Sequence, residues 1–223
     1  FFVPYRKLFI DVNCFMQDDT KLKTTKRRGR PRSYDPEQAL QQAMDSCWSG
    51  GYSATSLDDL STATGMNRPS LYAAFGNKRS IYLQAMDKFG MHMAGQLEPV
   101  LTADQPLEAA LRAFYGRVLN VYFSGDDGPR GCMVMCTATS EAHADPQIRQ
   151  YLDRTLQRID AMLTSRFERA LADGELPPDA DPTMLGKLAA TTMHSLALRS
   201  RAGQSRASLK RLSDASARML ARA

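Results

Sequence analysis

From Asp35 onward, apolar residues recur at spacings of three and four and punctuation is sparse, which is the period of an amphipathic helix. The first helix is predicted to open at Asp35-Pro36-Glu37, a side-chain cap followed by proline in the first turn. It carries Ala39, Leu40, Ala43, Met44 and Cys47 on one face and ends at Gly50-Gly51. A short second helix runs from Thr55-Ser56 through Leu57 and Leu60 to Ala63 and stops at Gly65. A third starts at Asn67, with Pro69 in its first turn, where a missing N–H costs little. It continues through Leu71, Tyr72 and Phe75 to Gly76-Asn77. A fourth begins near Lys78 and repeats Ile81, Leu83, Ala85, Met86, Phe89, Met93 and Leu97 as far as Pro99. At 1.5 Å per residue that rod is about 30 Å long, enough to join two domains. Further helices are expected at 107–123, 131–143, 146–173, 182–201 and 205–222. The clearest breaks are Asp126-Asp127-Gly128-Pro129 and Gly174-Glu175-Leu176-Pro177-Pro178. No strand or internal repeat emerges, so the fold class is all-α: an N-terminal three-helix unit and a larger C-terminal helical domain.

The second and third helices have the spacing of a helix-turn-helix. Ser61 supplies a small residue where the two helices cross, Gly65 can take positive φ in the turn, and Leu71 is an apolar anchor. Small-x-x-x-Gly followed by an apolar residue is common by chance, so the chemistry around it matters. The third helix exposes Asn67, Arg68, Ser70 and Ala73 while burying Leu71 and Phe75, a face suited to a major groove. Thr55, Tyr72 and Lys78 stand at helix ends and corners as candidate phosphate donors.

Composition sharpens this. The chain has 223 residues, 43% hydrophobic and 24% charged, with 11 prolines, which fits a soluble globular protein. The net charge of +5 is unevenly placed: Lys21, Lys23, Lys26, Arg27, Arg28, Arg30 and Arg32 fall within twelve residues that hold no acid. Such a run points to a polyanion, with a solubilising tail or a lipid contact as the alternatives. Four cysteines, at 14, 47, 132 and 136, are too few and too scattered for a disulfide framework, which favours a reducing cytoplasm. No stretch reaches the roughly 20 apolar residues that span a bilayer, so no membrane partner is expected. Residues 1–15 lack a signal-peptide pattern; the expectation is that they are upstream sequence, and no function is built on them.

The run Gly51-Tyr52-Ser53-Ala54-Thr55-Ser56-Leu57-Asp58-Asp59-Leu60, then Gly65, Ser70-Leu71-Tyr72, Phe75 and Lys78, resembles the signature of the TetR family of bacterial repressors over about fifty residues. The resemblance implies a homodimer in which each N-terminal domain reads half of a palindromic double-stranded DNA operator. A C-terminal domain would bind a small-molecule inducer and dimerise. By position, Arg68, Pro69, Ser70 and Ala73 would face bases, and Thr55, Tyr72 and Lys78 phosphates. Tyr72 has a half-buried packing role as its alternative, and Thr55 that of a helix cap. Arg28-Gly29-Arg30-Pro31-Arg32 resembles the core of an AT-hook, which would place Arg30 in an A·T-rich minor groove; an undirected electrostatic tether is the other reading. The domains are then 1–32, an extension with a basic arm; 33–80, the DNA-binding unit; and 81–223, the sensing and dimerising unit.

Candidate ligand-binding residues are Met91, Met93, Phe114, Tyr115, Val118, Tyr122, Met133, Met162 and Phe167, each of which is also an ordinary core residue at helical spacing. Gly131-Cys132 is expected to open a helix, with Arg130 adjacent, and both features would lower the Cys132 thiol pKa. The Gly-Cys step is similar to one in repressors that sense electrophiles; a small buried residue is the alternative. Cys132, Cys136 and His143 lie along one rod and do not close a tetrahedral metal site. His92, His143 and His194 lack a nucleophile partner, and no phosphate loop appears, so neither a cofactor nor enzyme activity is expected. Dimer contacts are expected on Met184, Leu188, Ala189, Thr192, Leu196, Leu209, Leu212, Ala215 and Leu220 of the last two helices. The rival to an operator-binding repressor is a helical small-molecule or thiol-reactive binding protein whose helix-turn-helix is vestigial.

Overall fold

The computed structural model describes residues 34–125 and 128–223, so the expectations for Arg28, Arg30 and Arg32 lie outside the described residues. The chain forms α1 (Pro36–Gly50), α2 (Leu57–Thr64), α3 (Arg68–Phe75), α4 (Lys78–Thr102), α5 (Leu107–Tyr122), α6 (Met133–Thr137), α7 (Pro146–Ala172), α8 (Pro182–Arg201) and α9 (Arg206–Leu220). Among the described residues there is no strand. Side-chain caps set most of the starts: Asp35, Ser56, Asn67, Asn77, Asp145, Asp181 and Ser205 each accept a hydrogen bond from a backbone N–H of the helix that follows. Ser56, rather than Thr55, caps α2, and it does so reciprocally with Asp59 in a capping box.

Two expected boundaries move. α4 runs through Pro99 to Thr102, because the proline sits near the helix end and Leu97 and Leu101 are buried on either side of it. Their burial offsets the one backbone hydrogen bond the ring removes. The helix expected over 131–143 is only Met133–Thr137, followed by turns to Ala144. There the Thr137 and Thr139 hydroxyls donate to the carbonyls of Met133 and Met135, which competes with regular helix continuation.

One hydrophobic core runs from α1 to α9. α4 is its spine. Ile81, Tyr82, Ala85 and Met86 pack under α1, while Leu97 and Leu101 reach the C-terminal bundle. α7 and α8 lie closest together where Gly186 meets Thr164. A methyl group at 186 would stand 2.7 Å from the Thr164 nitrogen and 2.9 Å from its Cα. Gly186 therefore serves internal packing.

The N-terminal helices are tied to the bundle by polar contacts around Trp48. Its indole N–H donates to the Gly131 carbonyl at 3.1 Å. The Arg130 guanidinium lies 4.1 Å over the indole ring and pairs with Asp45 at 2.9 Å. Arg201, the last residue of α8, donates to the carbonyls of Trp48 (3.1 Å), Ser49 (3.1 Å) and Arg130 (3.2 Å). Two of those carbonyls lie in the last turn of α1, which has no later amide to bond.

Gly186→Ala is expected to lower stability by about 1–3 kcal/mol through overpacking against backbone. Gly95→Ala, on an exposed helix position with open space around it, should be neutral or stabilising by up to ~1 kcal/mol. Thermal unfolding of both variants checks the pair; equal effects would contradict the close α7–α8 contact.

Candidate DNA-binding face and effector cavity

The α2–turn–α3 unit is assembled by local contacts that fix the direction of α3. Gly65 takes φ +64°, the left-handed turn that a side chain would disfavour. Ser61 donates to the Met66 carbonyl at 2.6 Å, holding the turn across from α2. Leu60 and Leu71 are fully buried and Met66 and Phe75 nearly so, which roots both helices in the core. The opposite face of α3 remains open: Arg68, Pro69, Tyr72 and Ala73 are exposed, and Ser70 is half-buried. Tyr72 is 47% exposed, so its ring is half-buried, as the packing alternative expects, while part of it stays open on this face.

Arg68 has a partner that sequence reasoning missed. Its Nε and Nη2 donate to the two carboxylate oxygens of Asp58 on α2, at 2.8 and 2.6 Å. This bidentate fork aligns the guanidinium plane across the two helices of the motif. The hydrogen bond from Arg68, with its charge, holds the Asp58 carboxyl below its ordinary range. Both side chains are more than half exposed, so solvent screening keeps the pair weak and exchangeable for a base or phosphate. A ten-residue Asp–Arg spacing across a turn carries no signal until the turn geometry is known.

Thr55 is corrected. It is buried, and its hydroxyl donates to the Gly51 carbonyl at 2.7 Å, so it is not presented to a phosphate. It closes the α1–α2 corner instead, against the Cα of Gly50. Lys78, the first residue of α4, places its ammonium 4.5 Å from the centre of the Tyr52 ring, at the corner beside α3.

The second feature is a cavity of about 60 Å³ between α4 and α7, closed by the Cys132–Val134 segment and by Met193 of α8. Met91, Met93, Cys132 and Met162, all candidates for ligand contact from the sequence, line it. Phe114, Tyr115, Val118, Tyr122, Met133 and Phe167 do not. They are fully buried core, four of them on α5 away from the α4–α7 seam. The cavity walls are mainly apolar; the polar residues among them are Thr155, Arg158 and a pair in which the Tyr151 hydroxyl of α7 donates to the Asp87 carboxyl of α4. Burial raises the Asp87 carboxyl, and the Tyr151 bond and the nearby Arg158 and Arg154 charges oppose that rise. Asp87 and Tyr151 were not singled out from sequence, since an Asp and a Tyr 64 positions apart announce no contact.

The expected acidified thiol is overturned. Cys132 precedes a helix of only five residues and is 3% exposed; burial pushes its thiol up to about 11. The Arg130 side chain is engaged with Trp48 and Asp45 instead. The desolvation of a buried thiolate outweighs the small dipole of one helical turn. The Tyr122 hydroxyl, buried without an oxygen or nitrogen partner, faces the Cys132 sulfur. Among the described residues no three His, Cys, Asp or Glu side chains gather as metal ligands would.

On the last two helices the expected dimer residues divide. Ala189, Leu196, Leu209 and Leu220 are buried inside the chain, whereas Met184, Leu188 and Leu212 are exposed. Leu198 and Met219 extend that exposed apolar face and were not expected.

Residues 39–85 match the family model described as bacterial regulatory proteins, tetR family, and residues 107–216 match the tetracyclin repressor-like C-terminal domain. The chain is similar to the HTH-type transcriptional repressor ComR of Escherichia coli K12, 31% identical over 211 residues, covering 92% of this chain and 97% of that one. It is 33% identical over 140 residues to the HTH-type transcriptional repressor BdcR of the same organism, covering 63% and 68%. Among solved structures, the TetR family regulator CifR, as a cysteine mutant complexed with 26 bp operator DNA, superposes with a TM-score of 0.77 at 30% identity, covering 85% of this chain and 98% of that one.

Because its pKa stands near 11, Cys132 stays protonated through the neutral range, with about one thiol in a thousand ionised at pH 8. Mass-resolved iodoacetamide labelling at pH 8 should modify Cys132 in the folded protein at least tenfold more slowly than in denaturant. Equal rates would contradict its burial.

Proposed function

Because the chain belongs to the TetR family of bacterial regulatory proteins, we propose that it is a transcriptional repressor that binds a palindromic operator as a homodimer and leaves it when a small molecule occupies the α4–α7 cavity. In this reading residues 33–80 form the reading unit and 81–223 the sensing and dimerising unit, working in the cytoplasm. The observation that carries the reading is the continuity of α4. Its first residue, Lys78, stands beside the recognition helix, and further along the same helix residues between Asp87 and Leu97 form one wall of the cavity. A rigid helix that belongs to both sites moves one when the other changes shape.

Arg68, Pro69, Ser70 and Ala73 face the bases in this reading, and Tyr72 and Lys78 the phosphates. The solved relative bound to operator DNA supports that use of the motif. Met184, Leu188, Leu198, Leu212 and Met219 supply the apolar face for the second copy, whose burial would remove them from water. A ligand releases DNA only if it binds the released arrangement more tightly than the operator-bound one, commonly by 5- to 150-fold, roughly. The thiol-reactive alternative loses its support with the buried, protonated Cys132.

Purified protein should prefer its own upstream intergenic DNA to unrelated DNA by a factor of roughly 10³ or more in a gel-shift competition. Absence of any preference would sink the reading. Arg68→Ala should cost about 1–3 kcal/mol on the operator and relax its base preference, whereas Lys78→Ala should weaken all DNA alike and lower the salt dependence by about one counterion. If both variants lowered only general affinity, the assignment of Arg68 to bases would be wrong.

A further inference from the structure

The α4–α7 cavity has a lopsided chemistry that restricts what it can hold. Its body is made of apolar side chains, four of them methionines (Met91, Met93, Met162 and Met193), with Phe89 alongside. Its polar lining is Asp87 of α4 and Tyr151, Thr155 and Arg158 of α7, and Asp87 is the one carboxylate among them. A carboxylate offers about four lone-pair sites, and the Tyr151 hydroxyl donates to it from α7. Thr155, next along α7, already donates its hydroxyl proton to the Tyr151 carbonyl at 2.9 Å. The cavity thus asks its occupant for a hydrogen-bond donor.

Charge narrows the choice. Arg158 and Arg154 already act on the Asp87 carboxylate, so a ligand cation would add positive charge where it is already supplied. A ligand anion would confront Asp87, and the charge of Arg158, the one cation in the lining, already acts on that carboxylate. A neutral donor meets neither cost. Size narrows it further. About 60 Å³ is less than half of the ~150 Å³ cavity that takes benzene in an engineered protein, so a single ring fits only if the walls give. Unbranched methionine side chains re-pack readily and make favourable sulfur–aromatic contacts. The swelling would separate α4 from α7, the seam that Asp87 and Tyr151 bridge.

We propose that the cavity binds a small neutral molecule with an apolar, single-ring body and one hydroxyl group, a simple phenol, which donates its hydrogen bond to Asp87. The proposal rests on the reading of this cavity as the effector site and adds the chemical class of the effector.

Trp48, the chain's one tryptophan, packs edge-on against Phe89 with ring centres 4.9 Å apart. Because Phe89 lines the cavity, Trp48 fluorescence reports occupancy without DNA. Titration of the full chain with p-cresol, toluene, benzylamine and benzoate should give a p-cresol Kd at least ~10-fold below the other three, the worth of one buried hydrogen bond. Asp87→Leu should bring p-cresol and toluene to equal affinity, and Asp87→Asn, which keeps an acceptor oxygen, should retain the preference. Equal binding of p-cresol and toluene by the wild-type chain overturns the proposal, as does tightest binding of benzylamine or benzoate, or no binding by any of the four. The wild-type panel decides even if Asp87→Leu fails to fold. Operator release is read separately by gel shift. p-Cresol binding without release supports the ligand class and removes the effector reading; release by toluene but not p-cresol does the reverse.

Discussion

At the C-terminal end of α1, the DNA-facing helices are held to the rest of the chain by one tryptophan and two arginines. Trp48 is buried on all sides: its N–H is bonded to Gly131, its face is covered by Arg130 and its edge meets Phe89. Arg201 reaches from the end of α8 to carbonyls of both α1 and the Arg130 loop. Gly131 is the joint. Its φ is +68°, and a methyl group there would stand 2.5 Å from the Ala197 carbonyl and 2.9 Å from the Cys136 sulfur, so the loop lies directly on α8. The next residue, Cys132, is already in the cavity wall. The N-terminal helices, the cavity and the helices that carry the exposed apolar face therefore meet within a few residues.

This arrangement gives α4 a second, parallel route to the core. α4 begins beside the recognition helix and passes the cavity; the Trp48 contacts bind α1, which packs along α4. Two further bridges act on the same joint, Ser53 to Glu141 at 2.7 Å and Arg79 to Asp145 at 3.1 Å. Each is exposed or partly so and modest alone. Together they tie the N-terminal helices to the body at several points, contacts that the proposed transmission of a cavity event would use.

Much of the local structure was legible in the residues. Asp35-Pro36 and Asn67 with Pro69 act as helix starts because a short acceptor side chain bonds one free N–H of the first turn and the proline removes another. The helix-turn-helix could be read because Gly65, Leu71 and the open polar face of α3 obey local rules. Three errors share a cause. Thr55 turned inward because its hydroxyl met the Gly51 carbonyl at the α1–α2 corner. Cys132 lost its expected acidity because tertiary packing buried it. α5 aromatics proved to be core because α9 and α4 cover them. Asp58–Arg68, Asp87–Tyr151 and Arg201–Trp48 join residues 10, 64 and 153 positions apart, and no periodicity encodes such pairings.

The central claim is that the Trp48–Arg130–Arg201 contacts fix where the reading unit stands relative to the body, and through it the partner's reading unit. The most direct measurement compares operator and non-operator affinity in Arg201→Met, which keeps the bulk of the side chain and removes the donors to Trp48, Ser49 and Arg130. Phosphate contacts by one reading unit do not depend on its placement, but matching two half-sites does. The account predicts a loss of about tenfold or more on the operator with less than a twofold change on non-operator DNA. Equal losses on both, or no loss on either, would contradict it.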